Sequence, residues 1–549
     1  MLRKQSHPMS LPTNERIRLT AYFVAILLVL CALLYNHFQM ISASIPLDYN
    51  EAAQPTVTAT IASGENPYTL KNQPSRASVY PVLYNIIVAP LTFVFGNNLE
   101  LHRSVVAIFI LGSCVLCYFA TYKESRSASN SLASAILYYA ALLFYSTPIA
   151  SPNSTGLFFF LASIFIPWQF NFSNRSLVIA LILGILAFYS KQYFIASLGY
   201  LSLYLFIAVS KKKALAFGIL SLLSIITSLI VIHKTSPYFL DNTFFSVKIV
   251  ISTISSNQAM LKQMSLFFEY YLALLLLTTF LVIYKLSTEK TTTNEYRKDK
   301  YEKKYQLFNF KNINAPLLSR KPNYILFCLA CSISIIVLIL GKNPANNMTY
   351  LFQIMSPFFL IASFKTISNS DKFKWISLPL IVFSLYKSYE VLPKDFTVDT
   401  ESWRKLEAIM SENKKIYGPP IILTQILNTD KPIYQNGHTN YFMYASFKPE
   451  IFKRTEKDTI LNTIWQSHIS RIYKNIEDQE FDLIILDRST KIPAPPSHLD
   501  PAIDGTSYLK KYYEKTDILT ISLIKRPGGG RYNLSIWRPK GKIDKITEL

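Results

Sequence analysis

"LDYNEAAQPTVTATIASGENPYTL", residues 47–70, decides how this chain is read. It follows an apolar run that reaches about Ile41, and it places two carboxylates, Asp48 and Glu51, where the chain leaves that run. Loop charges are solvated by default, and an Asp at such a place caps a helix. A carboxylate there can also accept a proton from a hydroxyl or ligate a divalent metal. If a helix begins near Asp48, three-residue spacing puts both acids on one face. The choice between a polar exit and an active-site loop depends on the rest of the sequence.

The chain has 549 residues, half of them hydrophobic, with 16% charged and 14% aromatic. A soluble protein carries more charge, about 25%. Runs of about 20 apolar residues, enough to span a bilayer, recur over the first 390 positions. Eleven spans are expected, near 18–41, 101–121, 131–147, 155–171, 176–191, 193–210, 213–233, 265–285, 322–340, 349–366 and 373–391. Lys191–Gln192 is all that divides the fifth from the sixth. "AYFVAILLVLCALLY" is flanked by Arg16 and Arg18 and lacks a clean small-residue cleavage site, so it reads as a first span and signal anchor.

The net charge of +22 does not point to nucleic acid, because no basic face with interleaved aromatics occurs in a soluble segment. The basic residues cluster in short connections: Arg3 and Lys4, "YKESR" at 122–126, Arg175, "KKK" at 211–213, the loop Lys285–Lys321, and Lys365, Lys372 and Lys374. With eleven spans they all fall on the N-terminal side, which the positive-inside rule assigns to the cytoplasm. The C-terminal part, and the segments 42–100, 148–154, 234–264 and 341–348, are then extracytoplasmic. The five cysteines all lie in apolar runs and read as small helix residues; CxxC pairs without a His/Cys partner set are not zinc sites.

Within 42–100, "YNEAAQPTVTATIAS" suits a short interfacial helix. "YPVLYNIIVAPLTFVFG" at 80–96 suits a helix on the membrane surface or packed in a cavity, bracketed by Pro81 and Pro90. After about 392 long apolar runs stop. "TESWRKLEAIMSEN" and "DTILNTIWQSHISRIYKN" read as helices. "PPIILTQ", "FDLIILD", "ILTISLIKR" and "YNLSIWRP" read as strands, the last two joined by "RPGGGRYN". This predicts a membrane domain over 1–391 and an α/β domain over 392–549, without a GxGxxG or P-loop.

Further polar groups fall at expected outer helix ends. Asn153 in "ASPNSTGLFFFLASIF" (150–165) reads as a helix start, and "NST" is a glycosylation sequon. Lys191 interrupts more than thirty apolar residues; it is either a turn between spans or a cation for an anion. Lys342, Asn343 and Asn347 lie between the ninth and tenth spans, and Arg103 at the start of the second. Together they suit a cavity open to the outer leaflet.

The ordered set resembles a known family. "DYNEAAQPTVTATIASGENPY", then "YPVLYNIIVAPLTFVFG" and "LHRSVV", is similar to the first outer loop of bacterial GT-C glycosyltransferases, relatives of protein O-mannosyltransferases and aminoarabinose transferases. "SPNSTGLFFFLASIF" resembles their "RPDxLGLFF" segment, "SKQYF" their "TKQ" segment, and "NNMTYLFQIMSPFF" a late-span segment. The resemblance implies a GT-C type polytopic α-helical membrane protein of about eleven helices with a C-terminal extracytoplasmic α/β domain. It implies transfer of a sugar from a polyprenyl-phosphate-linked donor to a hydroxyl of a glycan, lipid or protein at the cell membrane. Asp48 would be the general base, Glu51 its support, and Arg103 and Lys191 the phosphate cations; Tyr80 and Pro81 would shape the loop floor, and Asn153, Lys342 and Asn347 would contact substrate. The resemblance fixes no cofactor and leaves a divalent metal at the two acids open. Ser151 and Asn153 replace the family's Arg and Asp, and an amide is no base at neutral pH. Two other readings compete: a lipid-linked saccharide flippase, disfavoured by the lack of internal repeats, and a non-catalytic envelope assembly protein.

Overall fold

A computed structural model describes residues 13–48, 51–143, 148–245, 256–302, 322–338, 340, 351–369, 374–390, 400–427, 429, 431–435, 438–439, 456–487, 505–523 and 531–541. Among the described residues, six helical segments are long and apolar enough to cross a membrane, and four shorter apolar helices accompany them. Each of the eleven expected spans coincides with a helical segment. These are α1 (Thr13–Ser42), α4 (Leu99–Ser125), α5 (Ala128–Leu143), α6 (Asn153–Gln169) and α7 (Asn174–Ser190). A 3-10 turn (Gln192–Ile195), α8 (Ala196–Tyr204) and a π turn (Leu205–Val209) together form the sixth. There follow α9 (Lys211–Thr235), α10 (Asn257–Glu302), α11 (Tyr324–Leu338), α12 (Ser356–Ser368) after a π turn at Leu351–Met355, and α13 (Lys374–Glu390).

The apolar stripes of these helices meet in one core. Helix α4 lies at its centre, packed against α5, α6 and α12. The faces turned away carry exposed Leu, Ile, Val and Phe, as on α1, α9 and α10. That inversion, with apolar residues on the outside, is what a hydrocarbon surround requires. The chain is a multi-pass membrane protein. Helix α10 runs past the expected loop start at Lys285 to Glu302. "LSTEKTTTNEYRKDKYE" holds neither Gly nor Pro, and its Lys, Glu and Arg are good helix formers, so nothing stops the helix at the membrane edge.

Two short helices lie in the connection between α1 and α4. Helix α2 (Ala53–Ala62) is buried along most of its length, including Gln54, Thr56, Thr58 and Thr60, rather than lying at an interface. Its threonines return their hydroxyls to its own carbonyls, Thr56 to Ala52 and Thr60 to Thr56, while Asn85 donates to the Gln54 carbonyl at 3.1 Å and the Thr58 hydroxyl at 2.9 Å. The threonine hydroxyls of a polar helix are thus satisfied inside. Helix α3 (Leu83–Phe95) packs Tyr84, Asn85, Val88 and Ala89 inward and exposes Ile86, Phe93, Val94 and Phe95. That is the split expected of a helix at the edge of a membrane.

The C-terminal unit is built on a four-stranded sheet in the order β1-β2-β4-β3. Strand β1 (Ile416–Tyr417) runs parallel to β2 (Leu483–Leu486), and β4 (Arg531–Pro539) is antiparallel to both β2 and β3 (Tyr513–Ser522). Helices α14 (Thr400–Ser411) and α16 (Glu456–Glu477) match their expected places. "PPIILTQ" does not form the expected strand. Pro419 and Pro420 remove two ladder donors, and the segment turns through a 3-10 helix (Pro420–Ile422) into α15 (Leu423–Ile426). A further short helix, α17 (Gly505–Tyr512), precedes β3. The "RPGGGRYN" turn lies mostly outside the described residues.

The unit docks through two apolar clusters. Met40, Ile45, Leu47 and Ile149 from the bundle end join Trp403, Leu406, Ile421 and Ile485. Ala77 and Val79 from the α2–α3 connection join Tyr417, Ile484 and Trp537. The loops at that end of the bundle are therefore sandwiched between two cores.

Candidate active site

Glu51 and Arg103 meet in a closed ion pair, both fully buried, with Arg103 Nη2 at 2.8 Å from Glu51 Oε2. Arg103 Nε donates to Glu51 Oε1 at 2.8 Å. Its remaining N–H groups go to the carbonyls of Met40 (3.1 Å), Ala43 (2.5 Å) and Ile45 (2.8 Å). All five guanidinium donors are thereby in use. Glu51 accepts in addition from the backbone N–H of Leu47 at 2.6 Å and of Ala150 at 2.9 Å, which fills its four acceptor positions. Burial alone raises the Glu51 carboxyl, but the Arg103 charge and these hydrogen bonds outweigh it and hold the group below the usual carboxylate range.

This geometry changes the roles the sequence suggested. Arg103 has no N–H left for a phosphate, and Glu51 has no lone pair left for a proton or a metal. Their work is positional: Glu51 grips Leu47, next to Asp48, and Ala150, three residues before Asn153. One carboxylate ties together two separate stretches of chain. Helix α2 starts at Ala53, beyond both acids, so the one-face helical spacing of Asp48 and Glu51 does not arise. Among the described residues no three His, Cys, Asp or Glu side chains converge to hold a metal.

Asp48 is half-buried and its backbone carbonyl accepts from Glu51 N–H at 3.2 Å. It lies beside the C-terminal sheet. Burial raises the Tyr532 phenol on β4, and the carboxylates of Asp48 and Asp487 raise it further.

The second part of the site forms where α7 breaks. Lys191 is extended (φ −157°, ψ 130°), so α7 ends at Ser190 and a new helical segment starts one residue later. Its side chain is buried at 4% exposure. Nζ donates to Asn153 Oδ1 at 2.5 Å, and lies 4.7 Å from the centre of the Tyr80 ring and 5.4 Å from that of Tyr193. Among the described residues no carboxylate pairs with it. Asn153 is the first residue of α6, and it serves Lys191 rather than capping the helix. Close approach of α6 to the Lys191 turn depends on Gly156, where a Cβ would come within 2.5 Å of the Phe194 ring.

Tyr80 is held from several sides. The Tyr68 hydroxyl and the Ser78 hydroxyl (2.8 Å) both donate to its carbonyl, and the His438 ring meets its ring edge-on at 5.3 Å. Gln192, next to Lys191, donates to the carbonyls of Val79 (3.4 Å) and Thr243. The structure thus joins Tyr80, Asn153 and Lys191 in one cage and Glu51 with Arg103 in another. Lys342, Asn343 and Asn347 lie outside the described residues. Sequence reasoning missed Tyr193 and His438. Tyr193 is one of many aromatics in an apolar run, and His438 is a lone histidine more than 200 residues from Lys191 with no motif around it.

Tyr80, Asn153, Lys191 and His438 come from separate chain segments that only the fold brings together, so the fold itself is the informative comparison: a polytopic bundle whose first inter-helix connection is roofed by a small α/β unit. Two solved structures share it. ArnT from Cupriavidus metallidurans bound to undecaprenyl phosphate superposes with a TM-score of 0.52 over 93% of this chain and 97% of that one, at 11% identity. The apo state of the same protein gives a TM-score of 0.53 over 94% and 98%, at 10% identity. The chain therefore has an ArnT-like fold throughout. No family model and no curated protein matches its sequence.

Proposed function

We propose that the protein is a membrane glycosyltransferase that moves a sugar from a polyprenyl-phosphate-linked donor to an acceptor hydroxyl on the extracytoplasmic side. The observation that carries the reading is Lys191, a buried cation faced by two aromatic rings and an amide, without a carboxylate among the described residues. A buried charge needs a counterion, and a lipid phosphate at the membrane edge supplies one. The sequence resemblance to GT-C enzymes and the fold shared with ArnT, a protein solved with undecaprenyl phosphate, support the same reading.

In this scheme Asp48 takes the proton of the acceptor hydroxyl as its oxygen bonds to the anomeric carbon. The bond from that carbon to the phosphate oxygen breaks on the opposite face, so the anomeric configuration inverts. The polyprenyl phosphate leaves, and Lys191 stabilises the charge that accumulates on its oxygen. Tyr80, Tyr193 and Asn153 orient Lys191. Glu51 and Arg103 hold the loops that carry Asp48 and Asn153.

Transfer of sugar from a labelled polyprenyl-phosphate donor, assayed with membranes expressing the protein, tests this. Asp48→Asn abolishes transfer while the protein still accumulates and folds. Full activity in that variant removes Asp48 from the mechanism. Donor movement across vesicles without any transfer product favours a flippase instead.

A further inference from the structure

The structure assigns His438 of the C-terminal unit as a positioning residue of the Lys191 cage: its ring backs Tyr80 and so fixes the aromatic face that Lys191 and an incoming lipid phosphate use. The inference rests on the proposed function above and extends the site to a part of the chain that no motif connects with it.

Three observations carry it. His438 is buried at 4% exposure and packs edge-on against Tyr80, with ring centres 5.3 Å apart. Tyr80 also neighbours Lys191, whose Nζ lies 4.7 Å from the same ring centre. Tyr80 therefore touches both His438 and Lys191, three groups drawn from three regions of sequence. The second observation is that the C-terminal unit grips the α2–α3 connection itself. Thr439, next to His438, donates to the Pro74 carbonyl at 3.2 Å, His438 hydrogen-bonds the backbone at Ala77, and Ala77 and Val79 are fully buried in that unit's core. The third is chemical. An ammonium held over a ring is attracted by the negative π face, and the attraction depends on the ring staying where it is. A Tyr80 without its His438 neighbour would be freer to turn about its side-chain torsions and leave Lys191 with Asn153 and Tyr193.

His438 does not touch the reacting atoms in this arrangement. It acts through Tyr80, so its removal weakens donor binding in proportion to the lost ring placement. Histidine suits the position because it supplies a flat edge toward Tyr80 and a polar nitrogen toward Ala77 in one side chain.

The test uses the full chain purified in detergent, with undecaprenyl phosphate as probe and its dissociation constant read by native mass spectrometry. Wild type, His438→Ala, His438→Phe and Ile521→Ala are compared, each with its thermal midpoint. Ile521 is fully buried in the sheet core and remote in sequence from the cage, so its truncation reports generic loosening of the C-terminal unit. His438→Ala is expected to weaken binding about tenfold, the scale of one partly desolvated cation–π contact. His438→Phe, which keeps a flat ring against Tyr80, recovers most of that loss, and Ile521→Ala lowers the midpoint while leaving affinity within about twofold of wild type, well below one such contact. Binding by His438→Ala equal to wild type overturns the inference. Equal weakening in Ile521→Ala and His438→Ala also overturns it, because domain stability alone then explains the effect. Failure of the wild type to bind the probe removes the proposed function, and this inference with it; that result is distinct from a wild type that binds and a His438→Ala variant that binds equally well.

Discussion

Replacing Glu51 by Gln keeps the side chain's size and removes its charge. Arg103 stays buried at 0% exposure with three carbonyls but no counterion. The new amide group is a donor, and each oxygen of the old carboxylate accepts from two donors, so two of the four must face another N–H. Breaking a buried pair in this way costs about 3–5 kcal/mol. That is a large share of the 5–15 kcal/mol, approximately, that keeps a domain folded. Equilibrium unfolding in detergent, followed by tryptophan fluorescence, measures it. The double variant Glu51→Gln with Arg103→Met removes the stranded charge, so its cost falls short of the sum of the single changes by about 2 kcal/mol or more. It does not return to zero, because the carbonyls of Met40, Ala43 and Ile45 lose their donor. Acid acts on the same pair. The Glu51 carboxyl is held low in the folded protein, so its contribution is present above the unfolded value of about 4.3. It is lost as pH falls through the lowered folded value. A Glu51→Gln variant within about 1 kcal/mol of wild type, or strict additivity in the double variant, refutes the view that this pair clamps the loops.

Gly156→Ala forces a methyl group into the Phe194 ring beside Lys191, and is expected to cost about 1–3 kcal/mol in unfolding experiments with a parallel loss of transfer. In the C-terminal unit, burial lowers His438 from 6.5 to about 4 and His468 from 6.5 to about 3. The unfolded chain then binds more protons below about pH 6.5, so stability falls on acidification from there toward the folded values, by up to about 1.4 kcal/mol per pH unit for each histidine. His468→Gln flattens that slope, and an unchanged pH profile in this variant refutes the assignment. A reporter fused after Leu549 reads an extracytoplasmic location; a cytoplasmic reading reverses the sidedness derived from the Lys and Arg distribution.

The bundle was legible because a bilayer leaves few options. Long apolar runs must be helices, and the eleven expected spans fall on helical segments, including the break at Lys191. The site was legible only in part. Lys191 stood out as one cation in an apolar run, and Asn153 and Tyr80 came with the loops around it. What the sequence did not disclose was pairing. Glu51 and Arg103 looked like two reagents, and lie 52 residues apart. Only their joint burial shows that each consumes the other's hydrogen-bonding capacity. The interior place of helix α2 was hidden for a related reason: its threonines look solvent-facing in sequence, yet Asn85 and backbone carbonyls satisfy their hydroxyls inside. In "PPIILTQ" the apolar content suggested a strand, and the two prolines, which forbid ladder donation, were the better guide.

The Glu51–Arg103 clamp also sets an order of events during synthesis. The carbonyls at 40, 43 and 45 are made long before their donor at 103 emerges, and the Ala150 amide that completes Glu51 comes later still. The first span therefore enters the membrane with its exit loop unlocked, and becomes fixed only when the second and third spans have followed. Lys191 waits longer: the ring behind Tyr80 belongs to residue 438, so its cage closes only after all eleven spans are made. A ribosome that stalls, or a chain truncated before the C-terminal unit, leaves an inserted bundle with an unfinished pocket.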